Sequence, residues 1–185
     1  TDINGNNIGR MSSTGASVAY PLPSPSCLPV DITSGPDGNL WFVETTGNKV
    51  GRLTRDGALT EFELPATAQA PMSIVTGSDG NLWIAAYFQI VRMNRSGVVT
   101  GAFPVSQNPF GIAPGPDGAL WFTEQTRVGR IGIDGAVKEY PLPADVDGAQ
   151  GIAAGGDGNL WIAVPSANKL LRVTPGGIIT AFPVP

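Results

Sequence analysis

The segment GPDGNLW at 35–41 returns as GSDGNLW at 77–83, GPDGALW at 115–121 and GGDGNLW at 155–161. Its tryptophans, Trp41, Trp83, Trp121 and Trp161, are 42, 38 and 40 residues apart. A second signature trails each copy: VGRLTRDGALTEFELP at 50–65, IVRMNRSGVVTGAFPV at 90–105, VGRIGIDGAVKEYPLP at 128–143 and LLRVTPGGIITAFPVP at 170–185. A fifth copy of that second half, IGRMSSTGASVAYPLP at 8–23, has no first half before it. Such a period confines a chain to architectures that stack one supersecondary unit on the next. The chain therefore reads as one domain of four complete repeats, about 28–65, 70–105, 108–143 and 148–185, with an N-terminal half repeat at 6–23.

Each repeat reads as four strands. In the third, Phe110–Ala113 is the first, and Pro116-Asp117-Gly118 is a tight turn, proline presetting φ and glycine accepting φ > 0. Leu120–Glu124 is the second strand, Val128–Ile131 the third, Asp134-Gly135 a hairpin turn and Val137–Tyr140 the fourth. Pro141 is tolerable there because an outer edge strand need not donate to a ladder. Helical spacing occurs nowhere. Short strands, frequent turns and a period of about 40 residues select an all-β fold, the β-propeller with four-stranded blades.

Composition narrows the function. Hydrophobic residues make up 42% and charged residues 14%, enough to build a core, and the 25 Gly and 17 Pro fall at turns. A net charge of −4 argues against a nucleic-acid partner. Three lysines, Lys49, Lys138 and Lys169, are too few for a polybasic membrane patch, and no apolar run reaches the ~18–20 residues of a membrane-spanning helix. Neither a P-loop nor a dinucleotide fingerprint is present. Cys27 is alone, so no internal disulfide forms. Low Lys with abundant Gly, Ala, Pro, Ser and Thr points to a secreted bacterial protein, extracellular or periplasmic, with the cytoplasm left open; no signal peptide is visible.

The run GPDGNLWFVE…GNKVGRLTRDGALTEFELP resembles the repeats of the virginiamycin B lyase (streptogramin lyase) family, and the resemblance covers essentially the whole chain. It implies a seven-bladed ring, and three arrangements accommodate a shorter run of repeats: part of a longer ring, a five-bladed ring with one thin blade, or edge-to-edge assembly with other chains. It also implies an active site for β-elimination. This comprises a general-base His, a Glu two residues before it and a Glu fourteen after it that closes a W-F-T-E run, the carboxylates holding Mg²⁺. The positions matching that His are Val30, Met72, Phe110 and Gln150, and the chain has no histidine at all. Two residues earlier stand Leu28, Ala70, Asn108 and Gly148. The later carboxylate survives as Glu44 and Glu124, with Ala86 and Val164 in the other repeats. No catalytic residue, metal ligand or cofactor is therefore assigned.

Recurrence separates structure from function. The four Trp and the Arg at 10, 52, 92, 130 and 172 occur once per repeat, as blade-to-blade packing residues do. The Asp-Gly turns lack the alternating ligands of a Ca²⁺ loop. Cys27 has no His to activate it as a nucleophile. Glu44 and Glu124, two blades apart, read either as ligand contacts at the ring mouth or as solvated carboxylates inherited with the repeat. What varies is the loop after the second strand and the approach to the first, where propellers concentrate binding. Glu44, Tyr87, Phe110, Glu124, Gln125 and Gln150 are thus the expected ligand contacts. The first functional reading is a non-catalytic binding or scaffold propeller, with a small molecule or protein at the channel mouth. The alternatives are a lyase-family enzyme whose catalytic blades lie outside these residues, and a structural subunit that self-assembles through open blade edges.

Overall fold

The computed structural model describes residues 1–184. β1 (Asn7–Met11) and β2 (Ser17–Pro21) pair as a half blade. Blade one is β3 (Pro29–Ser34), β4 (Leu40–Glu44), β5 (Lys49–Leu53) and β6 (Leu59–Glu63). Blade two is β7 (Ser73–Thr76), β8 (Leu82–Ala86), β9 (Gln89–Met93) and β10 (Val99–Pro104). Blade three is β11 (Ile112–Pro114), β12 (Leu120–Thr123), β13 (Arg127–Ile131) and β14 (Val137–Pro141). Blade four is β15 (Ile152–Ala154), β16 (Leu160–Val164), β17 (Lys169–Val173) and β18 (Ile179–Pro183). Strands within a blade pair antiparallel in chain order, and the first strands β3, β7, β11 and β15 contact one another from blade to blade, which puts them at the axis. The fold is a β-propeller whose sheets do not close into a ring among the described residues.

Blade three corrects the strand limits in one place that matters. The first strand starts at Ile112 rather than Phe110, because the Gly111 N–H leaves the ladder and donates to Thr123 Oγ1 at 3.0 Å. Glu124 falls outside the second strand, its N–H closing the hairpin onto the Arg127 carbonyl. At the rim the fourth strand runs through Pro141.

Second strands are buried along their whole length in blades two and three, since each blade face meets a neighbouring blade. Trp41 and Val43 of blade one pack against Ile74, Leu82 and Ile84 of blade two, and the same contact repeats one blade on between Trp83 and Leu120, Phe122 and Ile131. Across each second–third strand pair the volumes compensate. Phe42 lies over Gly51 and Phe122 over Gly129, so that a Cβ on either glycine would fall inside the phenyl ring. Blades two and four use medium pairs instead, Ile84 with Val91 and Ile162 with Leu171. Dense interiors require this matching of large with small.

The once-per-repeat residues form a ladder. Each Trp Nε1 donates to the Asp four residues earlier, in the Asp-Gly turn, at 3.0–3.2 Å. The Trp pairs with a fourth-strand aromatic, Trp41 with Phe62 at 5.3 Å and Trp121 with Tyr140 at 5.8 Å between centroids. Arg52 and Arg92 lie over the two rings of their blades at 5.5–5.8 Å, a cation–π contact. Arg130 turns away to Asp117, 2.6 Å distant. Burial works against ionisation of Asp37 and Asp79, yet the hydrogen bonds from Trp and Asn hold both carboxyls below their usual range. The Asp-Gly turns are thus anchors for the tryptophans.

Candidate functional site at the channel mouth

Side chains stitch the axial strands together. Asp31 Oδ2 accepts from Ser73 Oγ at 2.7 Å and from the Ile74 N–H at 2.8 Å, joining blade one to blade two. Thr123 Oγ1 donates to the Gln150 carbonyl at 2.6 Å, joining three to four. Between these strands lies a cavity of about 500 Å³ lined by residues of all four complete blades, among them Asp31, Met72, Ser73, Phe110 and Gln150.

At its rim, between blades two and three, a smaller apolar recess of about 140 Å³ is lined by Ala70, Met72, Ala86, Tyr87, Asn108 and Phe110. Met72 and Phe110 line both spaces, so recess and channel adjoin. Tyr87 is 53% exposed and meets the ring of Phe88 edge to face at 4.8 Å. Phe88 has φ +54°, a left-handed conformation that suits Asn or Gly and strains a bulky side chain. The equivalent loops of blades one and four put Asn48 and Asn168 at φ +54° and +50°. Blade two therefore carries an aromatic in the left-handed position where blades one and four carry Asn; blade three has Thr126 there, outside the left-handed region. Asn108 holds the loop, its Oδ1 accepting the Phe88 N–H at 3.1 Å.

The structure gathers Tyr87 and Phe110 at the recess and Phe110 and Gln150 at the channel. Gln125 is exposed and lines neither cavity, its carbonyl accepting the Gly148 N–H. Glu44 and Glu124 are the largest departure from expectation. Neither is solvated; both are fully buried where the second strand runs out, Glu44 beside Cys27 and Glu124 beside Gln107 of the linkers that lead into their blades. One Glu124 oxygen accepts the Gln107 N–H at 2.9 Å and the other has no partner; both Glu44 oxygens lack one. Burial pushes Glu124 up to about 7 and raises Glu44 as well. Met72, Ala70 and Asn108, which line the recess, were missing from the expected contacts, as was Phe88, which meets Tyr87 and lines neither cavity. The signal for Phe88 was present in the loop comparison of Gly47-Asn48, Tyr87-Phe88, Gln125-Thr126 and Ala167-Asn168, where only blade two has an aromatic.

The Mg²⁺ that the family resemblance implies does not fit these residues. Mg²⁺ demands near-octahedral oxygen donors. Beside Glu124, the charge of Glu139 is felt, but that carboxylate is engaged by Ser106 and by Arg127. Glu44 has donor atoms of Cys27 and Glu61 within 4.8 Å. Glu61, however, is taken by Ser24 and by Lys49 at 2.8 Å, and Cys27 is a soft donor whose thiol is pushed up to about 12 by burial and by Glu44.

The chain matches the virginiamycin B lyase family over residues 1–105 and 86–185. No curated protein matches it significantly. Among solved structures, virginiamycin B lyase from Staphylococcus aureus is 38% identical, with a TM-score of 0.93, over 100% of this chain and 65% of its own length. A catalytically inactive His-to-Ala form of the same enzyme with quinupristin gives the same figures. A streptogramin B lyase is 31% identical, with a TM-score of 0.94, over 100% of this chain and 64% of its own. The chain thus spans just under two thirds of the length of these relatives. With the family pattern met from the first residue to the last, the chain belongs to the virginiamycin B lyase family.

Proposed function

We propose that these blades form the ligand-binding part of a propeller of this family, holding a small apolar molecule with an aromatic group at the channel mouth between blades two and three. The observation that carries this reading is Phe88. A strained backbone at a position where blades one and four use Asn places a second aromatic against Tyr87, which lines the recess together with Met72 and Phe110. Strain kept at a cavity mouth is a mark of function. Asn108 at the apolar recess, and Asp31, Ser73 and Gln150 in the adjoining channel, supply the polar groups that orient a ligand. Quinupristin, present with the inactive S. aureus enzyme, is the natural probe.

A second reading, favoured by 38% identity along the whole chain, is that this recess serves a lyase whose proton-abstracting base lies in blades beyond these residues. That relative is inactivated by replacing a histidine, and these 185 residues contain none. The test is calorimetric titration of the chain with quinupristin, with chromatography to detect ring opening. Saturable binding without ring opening is expected, weakened about tenfold by Phe88→Asn or Phe110→Ala. Absence of binding overturns the site. Ring opening by the chain alone overturns the assignment of these residues to binding rather than chemistry.

A further inference from the structure

Blades one and three carry a carboxylate pair that blades two and four lack. Glu44 and Glu124 close the second-strand run where Ala86 and Val164 stand in the other two. Glu61 and Glu139 lie on the fourth strands, opposite Gly51 and Gly129. In both blades the fourth-strand carboxylate clamps the entering linker by a serine: Glu61 accepts from the N–H and hydroxyl of Ser24, Glu139 from those of Ser106. The buried carboxylate is treated differently in the two. Glu124 accepts the Gln107 N–H, one residue after the clamped serine, whereas neither Glu44 oxygen receives a hydrogen bond.

What faces Glu44 instead is sulfur. The linker of blade one turns through Ser26 at φ +56° and Leu28 at φ +53°, both left-handed, and Cys27 is the residue between them. The Cys27 N–H donates to Asn6 Oδ1 at 2.9 Å, and its carbonyl accepts the N–H groups of Thr46 and Gly47, so its backbone is held on both sides. Gly47 permits the approach, since a Cβ there would lie 3.1 Å from Glu44 Oε2 and 3.3 Å from Cys27 Cβ. Cys27 Sγ, a Glu44 oxygen and a Glu61 oxygen lie within 4.8 Å of one another, with Cys27 and Glu44 fully buried. A carboxylate drawn out of water without a donor is costly unless a cation meets it.

We infer that Cys27, Glu44 and Glu61 form a binding site for one thiophilic divalent cation of the Zn²⁺ class. Zn²⁺ takes four donors, sulfur among them, at about 2.0–2.3 Å. Cys27 supplies the sulfur and Glu44 the oxygens that nothing else engages. Glu61 supplies another oxygen: its Oε1 accepts only the Ser24 N–H and keeps a lone pair. Lys49, 2.8 Å from Glu61 Oε2, balances the charge, because three anionic ligands, one ammonium and a dication sum to zero. The thiol proton leaves to solvent on binding. The octahedron of oxygens that Mg²⁺ demands is not there, and blade three, with the same carboxylate pair and no thiol, is no such site. The ion ties the linker of blade one to the loop after its second strand, apart from the recess between blades two and three.

The probe is Co²⁺, whose thiolate charge-transfer absorption reports a sulfur ligand. The chain has one cysteine and no histidine, so such a band can arise only at Cys27. Titrated with Co²⁺, the 185-residue chain should develop the band to a one-to-one endpoint, lose it to added Zn²⁺ and keep it in excess Mg²⁺. Zn²⁺ should also raise the melting temperature, since only the folded chain holds the three ligands together. Cys27→Ser should abolish the band. Glu44→Gln, which keeps the shape of the side chain and hence the circular dichroism of the parent, should weaken Zn²⁺ binding at least about tenfold. Glu124→Gln, in the blade without a thiol, should change neither. Absence of the thiolate band, a band that Zn²⁺ does not remove, or undiminished Zn²⁺ affinity in Glu44→Gln overturns the inference. Equal weakening by Glu124→Gln does so too, since the ion then lies elsewhere.

Discussion

Two seams between blades are built from the same repeat and end differently. Between blades two and three, Trp83, Ala85 and Ile90 meet Ile112, Leu120, Phe122 and Ile131, all of them buried, and the ligand recess opens at the axial end. Between the half blade and blade one the same faces meet, but the inner strands of one partner are absent. Leu40 is exposed there, and a cavity of about 390 Å³ stands where an indole sits elsewhere. A blade face is complete only with its neighbour, so burial in this fold belongs to the pair of repeats and not to the repeat.

That contrast can be broken most forcefully at the glycines. Gly129→Val forces a branched side chain into the Phe122 ring and should cost at least about 3 kcal/mol in urea unfolding, whereas Gly9→Val should cost close to nothing. An equal loss at both would mean that β1 is already covered. Next come the tryptophans. Trp121→Ala empties a fully buried site and should cost about 3–5 kcal/mol; Trp161, half-buried on a face that no described blade covers, should cost about half as much. Similar losses would mean that the ladder of Asp, Trp and aromatic within a blade, rather than the next blade, holds the indole.

The buried Glu124 carboxylate makes a pH-dependent prediction. Its folded pKa, near 7, is above its ordinary 4.5, so the folded state binds the proton more tightly. The stabilisation from the neutral acid is therefore full below about pH 4.5 and is lost as pH rises to about 7. Glu124→Gln should flatten that fall, gaining about 1–3 kcal/mol on the parent between pH 5 and pH 8. Equal slopes for parent and variant would assign the pH dependence to other groups. Smallest is the aromatic at the mouth: Phe88→Asn relieves a left-handed backbone and should stabilise the chain by about 0.5–1 kcal/mol while weakening ligand binding. A loss of stability instead would show that the contact with Tyr87 outweighs the strain.

Much of this molecule is legible in its residues because each decisive feature is repeated. Four copies of the Asp-Gly-x-Leu-Trp run establish the tight turn and second strand, and the recurring Gly-Arg and Arg signatures mark the third. The channel-mouth residues Tyr87, Phe110 and Gln150 were found by the opposite reasoning, since they depart from the repeat. The hydrogen bond from Trp Nε1 to the turn Asp has a fixed spacing of four residues but needs the turn's geometry to be seen. Burial of Glu44 and Glu124 was not legible, because a carboxylate at the end of a strand reads as solvated until the linker entering the blade is folded back beside it.

The sequence by itself determined the repeat, the four-stranded blade, the axial placement of the first strand and the absence of an imidazole base, since each follows from local pattern or plain composition. Only the tertiary structure decided which aromatics converge at the mouth, which carboxylates are drawn out of water and where a blade face stands uncovered. These are properties of surfaces made by residues some 40 positions apart, and no local propensity acts over that separation.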